Sequence, residues 1–346
     1  MKDTLRKLSL ASAPPGREDV AASLVSGIFS KYCDSVSIDN FNNISGRKET
    51  RIDSPRKIAL YAHMDEIALM INDIDKDGFI SFIAVGGIDP RILLSQEVLI
   101  HGKREVYGVI GVKPPHLQTP DETKEIKIEK LYIDVGMTKE QVNEVIKIGD
   151  YITFKGKWVD LQNNIISSKA LDNRAGVAVI IEVMKELAKD LLDSEIIYNA
   201  TTQEEVGLRG STVNSFSIGP DLAIVIDAGF GDMPGLEKDE TFILGKGPAI
   251  AIGPNLHPIF SKELINFAKQ ENMPFQIDVE PGNTGTEAWA IQISRTGIPV
   301  LLISIPLRYM HTTVETISLD DVENSAKLIS GYIRHIHGRL EGLLCI

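Results

Sequence analysis

A chain of 346 residues with 43% apolar and 24% charged side chains is longer than one core usually serves, and predicts a globular protein of one large and one smaller domain. Its formal charge of −12 argues against a nucleic-acid partner, which demands a basic surface. No apolar run reaches the ~18 residues of a membrane helix, and the start MKDTLRKLSLASAPPGRED has no signal-peptide core, so a cytoplasmic protein without a membrane partner is expected.

Met1 to Leu10 and Arg17 to Tyr32 read as helices, the second with a stripe at Val20, Leu24, Ile28 and Phe29. Ser35 to Phe41 alternates like a strand, and Lys57 to Ala62 is a short apolar run that delivers His63 to a sheet edge. From Glu66 to Val159 the texture changes to strand-like pieces (FISFIAV, EVLIHG, VYGVIGV, DYITFKG) between Gly, Pro and Asp turns, with one helix at Thr138 to Glu144 and an exposed loop in PPHLQTPDETKEIK. The expected organisation is therefore a body of residues 1–65 plus 160–346, interrupted by a β-rich insert of residues 66–159. After Ser168 helices and strands alternate: helix Arg174 to Lys189, strands Ser194 to Thr202 and Asp221 to Asp227, helix Ser261 to Asn272, strand Phe275 to Val279, helix Thr286 to Thr296, strand Pro299 to Ser304 and a last helix from Leu319. That alternation predicts an α/β fold with a mixed, largely parallel sheet between helices.

Five acidic and histidine motifs punctuate this pattern: YAHMDEI, ALDNRAG, TQEEVG, VIDAG and YMHTTVE. In the first, Asp65 two residues beyond His63 is placed to orient an imidazole ligand. Asp172 opens a helix, where it is either an N-cap or a carboxylate able to bridge two cations. Glu204 and Glu205 follow an apolar strand, and on an extended chain they point in opposite directions, so one can bind metal while the other faces substrate. Asp227 and His311 each end an apolar strand. Singly, each of these has a bland explanation as a cap, a solvated pair or a structural histidine; jointly they outline a metal site. Only Cys33 and Cys345 are present, so the ligands of any metal are nitrogen and oxygen, a set suited to zinc, cobalt or manganese. No GxSxG elbow, P-loop or GxGxxG occupies a strand-to-helix setting.

The segments AHMDEI, IGVKPPHL, IDVGM, IGDYITF, ALDNRAG, TTQEEVGLRGS, IDAG, GKGP, GTEAWAIQISRTGIP and IPLRYMHTTVE run through nearly the whole chain in an order that resembles the M42 metallo-aminopeptidases. The resemblance implies a catalytic domain interrupted by a PDZ-like β domain, and two divalent ions per subunit, zinc or cobalt before manganese. It implies Asp172 as the bridging ligand, His63 and Asp227 completing one metal, and Glu205 and His311 the other. Glu204 becomes the general base that activates a metal-bridging water, Asp65 orients His63, and the Asp172-Asn173 peptide is cis. The implied reaction is hydrolysis of the N-terminal peptide bond of short peptides, in a homo-oligomer of dimers that close into a tetrahedral dodecamer. Gly285 and Thr286 are expected at the substrate, with Glu287 and His257. Two departures stand out: Ala68 replaces the glycine of DEIG, and Glu287 replaces the aspartate of GTDA.

Two other activities compete. A two-metal amidohydrolase of acylated amino acids uses a similar centre without needing a free amine. A glycosidase needs two carboxyls facing each other across a sugar, for which adjacent Glu204 and Glu205 are poorly placed. A metal-free interaction protein would have no use for a complete ligand set.

Overall fold

The computed structural model describes residues 1–117, 125–237 and 240–344. The chain opens with α1 (Lys2–Leu10), α2 (Asp19–Phe29), β1 (Ser35–Ile38), β2 (Ile44–Lys48) and β3 (Lys57–His63). It then leaves the main sheet for β4 (Ala68–Ile74), β5 (Ile80–Val85), β6 (Glu97–His101), β7 (Glu105–Gly111), β8 (Tyr132–Asp134), α3 (Lys139–Val145) and β9 (Tyr151–Phe154). It returns as β10 (Val159–Asp160), β11 (Ile165–Ser168), α4 (Leu171–Leu187), β12 (Glu195–Thr201), α5 (Arg209–Ile218), β13 (Leu222–Phe230), β14 (Ala249–Ile252) and α6 (Pro258–Gln270). The last elements are β15 (Gln276–Val279), α7 (Glu287–Ile291), β16 (Val300–Arg308), β17 (Glu315–Ser318), α8 (Leu319–His335) and α9 (Leu340–Leu344).

Eleven strands form one mixed sheet, ordered β1-β2-β12-β3-β13-β16-β17-β11-β10 with β14 and β15 branching from β16. The expected largely parallel sheet is corrected here: parallel pairing is confined to β12-β3-β13-β16 and to β14-β15, and every other neighbour is antiparallel. The four central strands are apolar on both faces, as strands covered by helices on each side must be. Period-two alternation divides them cleanly. Ile58, Leu60 and Ala62 of β3 join the large core under α1, α2, α4, α6 and α8, while Ala59 and Tyr61 join a smaller one with Ile218 of α5 and Ala288 and Ile291 of α7.

The segment between β3 and β10 closes into a six-stranded antiparallel barrel, β4-β5-β8-β7-β6-β9. Its core is its own, built from Leu69, Ile71, Phe82, Val98, Ile100, Ile110, Ile133 and Ile152. Strand β7 shows the strict in-out alternation that a small barrel requires. Helix α3 starts where Thr138 and Gln141 form a capping box. The expected loop at 114–127 lies partly outside the described residues; Pro114, His116, Leu117, Glu125 and Lys127 at its ends are exposed.

Two helices are shorter than their periodicity suggested. The Pro14–Gly16 turn delays α2 to Asp19, and α7 stops at Ile291 because Arg295 (φ 55°) and Gly297 (φ 98°) reverse the chain.

Candidate metal centre

Three parallel strands and one helix entry converge on a single point. Strand β3 ends at His63, which pairs in register with Thr201 at the end of β12, and the Met64 N–H donates to the Thr201 carbonyl at 2.8 Å, locking the two strand ends together. Asp227 comes from β13, beside Ser304 of β16. The residues gathered there form three candidate ligand groups, two of which share Asp172: His63, Asp172 and Asp227 in one, and Asp172, Glu205 and His311 in the other; the third is His63, Glu204 and Glu205. Asp172 faces both histidines, with Oδ1 3.3 Å from His63 Nε2 and Oδ2 3.4 Å from His311 Nε2. His311 Nε2 lies 3.3 Å from Glu205 Oε1, and His63 Nε2 lies 3.9 Å from Asp227 Oδ1. Glu204 belongs only to the third group; its Oε2 is 4.0 Å from His63 Nε2.

The backbone around these side chains is held by carboxylates. Glu315 accepts from the N–H groups of Leu171 (2.7 Å) and Asp172 (3.1 Å) through one oxygen and from His311 (2.9 Å) through the other. One residue thereby sets both the shared carboxylate and a histidine. His311 Nδ1 lies 2.8 Å from the Gly87 carbonyl; an oxygen that can only accept forces the proton onto Nδ1 and frees Nε2 as a ligand atom. Asp65 accepts from Glu204 N at 3.0 Å and Glu205 N at 3.1 Å. It also sits 3.4 Å from His63 Nδ1, without the alignment of a hydrogen bond. Asn173, not Asp172, caps α4: its Oδ1 accepts from Gly176 N at 3.1 Å and its Nδ2 donates to the Ile226 carbonyl at 2.7 Å. Asp172 lies in the non-helical entry to α4 (φ −78°, ψ 108°), and the Asp172-Asn173 peptide is cis.

The strand argument about Glu204 and Glu205 is corrected. Strand β12 ends at Thr201, and Gln203 takes φ 54°, so the pair lies in a turn rather than on extended chain, and both carboxylates approach His63.

Electrostatically the cluster asks for cations. Burial pushes the Glu204 carboxyl up to about 9, with Asp227, Glu205 and Asp65 adding to the rise against His63. Burial likewise raises Glu205 and, well above its ordinary value, Asp227. Burial opposes charge on the histidines too, yet the bonds to Asp172 and Glu205 push His311 up to about 11, and Glu204, Asp172 and Asp65 hold His63 well above its usual value. Asp172 is depressed despite its burial, through its bonds to His311 and His63. Divalent cations would take the place of those histidine protons and relieve the repulsion among the carboxylates. The all nitrogen and oxygen donor set, with Nε2 of His311 presented free, fits them.

These residues line a cleft of about 920 Å³, which also includes Gly285 and Thr286. Glu287 and His257 are not among its lining residues. Glu287 is 0% exposed beneath it, where it accepts the Thr201 hydroxyl, and its Oε2 makes no hydrogen bond of normal geometry among the described residues. His257 precedes α6; its N–H donates to the Val300 carbonyl at 3.0 Å and its ring packs 4.9 Å from that of Phe260. Sequence reasoning assigned nothing to Glu315 or Glu18. The first had a legible signal, a carboxylate four residues after His311 in YMHTTVE, while Glu18 gave none beyond a helix start.

Known proteins of similar sequence and fold include aminopeptidases. The M42 glutamyl aminopeptidase family matches residues 42–328. The lysyl aminopeptidase of Pyrococcus furiosus is 35% identical over 318 residues, covering 90% of either chain. An aminopeptidase from the archaeon Desulfurococcus kamchatkensis superposes with a TM-score of 0.90 at 36% identity, over 98% of this chain and 95% of that one. The TET1 peptidase of Pyrococcus horikoshii, a protein that assembles into a tetrahedron or a large octahedral shell, gives 0.84 at 31% identity, over 96% and 98%. With the family match running from β2 to β17 and taking in the barrel and the candidate metal cluster, the chain belongs to the M42 aminopeptidase family and is a peptidase.

Proposed function

We propose that this chain is a two-metal aminopeptidase that removes the N-terminal residue of short peptides. The observation that carries the reading is Asp172, whose two oxygens each face one histidine, so that the two ligand groups meet at one carboxylate. His63 and Asp227 with Asp172 would hold one ion, and Glu205 and His311 with Asp172 the other. Bound there, divalent ions, zinc or cobalt before manganese, supply Lewis acidity toward water and the scissile carbonyl. Glu204, outside the two groups that share Asp172, accepts the proton of the attacking water and then returns it to the leaving amine. Neighbouring positive charge lowers a carboxyl pKa, so cations held beside Glu204 would favour its ionised, proton-accepting form. Asp65 keeps that carboxylate in place through the N–H groups of Glu204 and Glu205.

The cleft favours a free amino terminus over an acylated one. Its described lining includes Glu240, Asp278 and Glu280 beside the cluster and no lysine or arginine, a field that draws in an ammonium group. This separates the reading from that of an amidohydrolase acting on acylated amino acids. The test is release of amino acids from matched free and N-acetylated peptides by chelator-stripped protein, with zinc, cobalt or manganese restored. Metal-dependent loss of the first residue from free peptides alone supports the proposal; activity confined to acetylated peptides refutes it.

The same reading assigns residues 1–65 and 160–346 to the catalytic domain and 66–159 to a PDZ-like insert that pairs protomers, in a cytoplasmic enzyme. The TET1 likeness supports six such dimers closing a tetrahedron. Light scattering on the purified protein should give about twelve times the 38.0 kDa chain mass; a monomer would exclude the assembly.

A further inference from the structure

Four successive N–H groups in the turn after β12 are each taken by a buried side-chain oxygen. Thr202 donates to Asn43 Oδ1 at 3.0 Å, Gln203 to Glu18 Oε1 at 3.2 Å, Glu204 to Asp65 Oδ1 at 3.0 Å and Glu205 to Asp65 Oδ2 at 3.1 Å. Gln203, in the middle, has φ 54°, a left-handed conformation that a side-chain-bearing residue keeps only when its surroundings hold it. The Glu18 carboxylate reaches it from a preformed loop. Gly16 N donates to the same Oε1 at 2.7 Å, and Arg17 N closes the turn onto the Pro14 carbonyl at 2.9 Å.

That loop is fastened to the floor of the centre. Ala13 N donates to Glu66 Oε1 at 3.0 Å and Glu66 N to the Ala13 carbonyl at 3.1 Å, while the buried Arg174 guanidinium grips the carbonyls of Leu8 (2.6 Å) and Ala11 (3.3 Å). Glu18 is 0% exposed and its Oε2 has no hydrogen-bond partner among the described residues. A buried carboxylate with an unpaired oxygen burdens a fold, and burial pushes this one up to about 7. Such a group beside a reaction centre is better explained by what it positions than by stability. It also precedes residue 42, where the family match begins.

We propose that Glu18 is a positioning residue for Glu204, fixing the N–H of Gln203 so that the turn presents the Glu204 carboxylate to the cleft at a constant place. The proposal rests on Glu204 being the base. In the metal-loaded enzyme Glu18→Ala should lower kcat by about 10–100-fold, the usual result of releasing a group that orients a reacting one, with KM within about twofold. Glu18→Gln keeps an oxygen that accepts from Gly16 and Gln203 and should retain kcat within about threefold. In metal-free protein, hydrogen exchange at the Gln203 amide should accelerate at least about tenfold in Glu18→Ala and stay slow in Glu18→Gln. If Glu18→Ala does not fold, Glu18→Asp, one methylene too short, replaces it with the same expectations. Unchanged kcat in the Ala or Asp variant, or equal losses in Ala and Gln, would overturn the proposal. A wild-type enzyme that releases no N-terminal residue would overturn the function instead, and exchange at Gln203 would still decide the role of Glu18.

Discussion

Glu287 replaces the aspartate expected from the family pattern, and the structure turns that departure into a stability prediction. The side chain is 0% exposed, accepts the Thr201 hydroxyl with one oxygen and leaves the other without a hydrogen bond of normal geometry among the described residues. Burial raises its carboxyl from 4.5 to about 7, against the favourable influence of His63 and the Thr201 bond. At about 1.4 kcal/mol for each pKa unit, keeping this group ionised in the folded, metal-free protein costs about 3 kcal/mol. Because the folded carboxyl binds its proton more tightly than the unfolded one, that cost is absent below pH 4.5, grows between 4.5 and 7, and is complete above 7. Glutamine does not titrate, and its amide oxygen can accept from Thr201. Its NH₂ group, in place of the other oxygen, adds a penalty of about 1–3 kcal/mol that is the same at every pH. The observable is therefore the change with pH. Urea unfolding of the chelated wild type and Glu287→Gln at pH 4 and pH 8 should show the variant gaining about 3 kcal/mol on the wild type between the two. A difference that does not change with pH would refute the reasoning. Since Glu287 does not line the cleft, KM for a short peptide should stay within about twofold.

Three further outcomes follow from the same network. Lys169 and Glu66 form a buried pair with side chains 4% and 3% exposed; Lys169→Met strands the carboxylate and should lower unfolding free energy by about 3–5 kcal/mol, most of it recovered in Lys169→Met/Glu66→Gln. An unchanged urea midpoint in the single variant would contradict that pairing. Glu315→Ala frees the backbone of both Asp172 and His311, and calorimetric titration of the stripped protein should show metal affinity reduced about 10–100-fold. Wild-type affinity would mean that the carboxylate orients nothing. His63 and His311 are held protonated by their acidic neighbours, so metal loading at pH 7.5 should release about two or more protons per chain, read from binding enthalpies in buffers of different ionisation heat. Loading without proton release would remove the histidines from the ligand set.

Much of this was legible because strand signals are strong where strands are buried. KIALYA, IIYNAT and AIVIDA are largely apolar, and each proved to be a central strand leading to the cleft. The antiparallel flanks were not legible, since pairing direction is set by connections and edges rather than by composition. Helix α5, RGSTVNSFSI, went unseen because serine, threonine and asparagine hide its apolar stripe. The candidate metal ligands, and Asp65 beside them, could be chosen by type and position, and the YMHTTVE spacing pointed to Glu315, but Glu18 and the Gly87 carbonyl could not, because they meet the site across segments distant in sequence. The turn at Gln203 likewise defeated an argument from strand alternation.

Glu204 is the residue whose loss separates metal binding from turnover most directly. Glu204→Gln leaves the two groups that share Asp172 untouched, so calorimetry should find both metal ions bound with affinity within about threefold of wild type, while kcat for removal of an N-terminal residue falls by about 10²–10⁴-fold, the share a general base commonly contributes. Retained metals with lost turnover would establish Glu204 as the proton carrier beside a two-metal centre. Full turnover in the variant, or loss of the metals with it, would contradict that assignment.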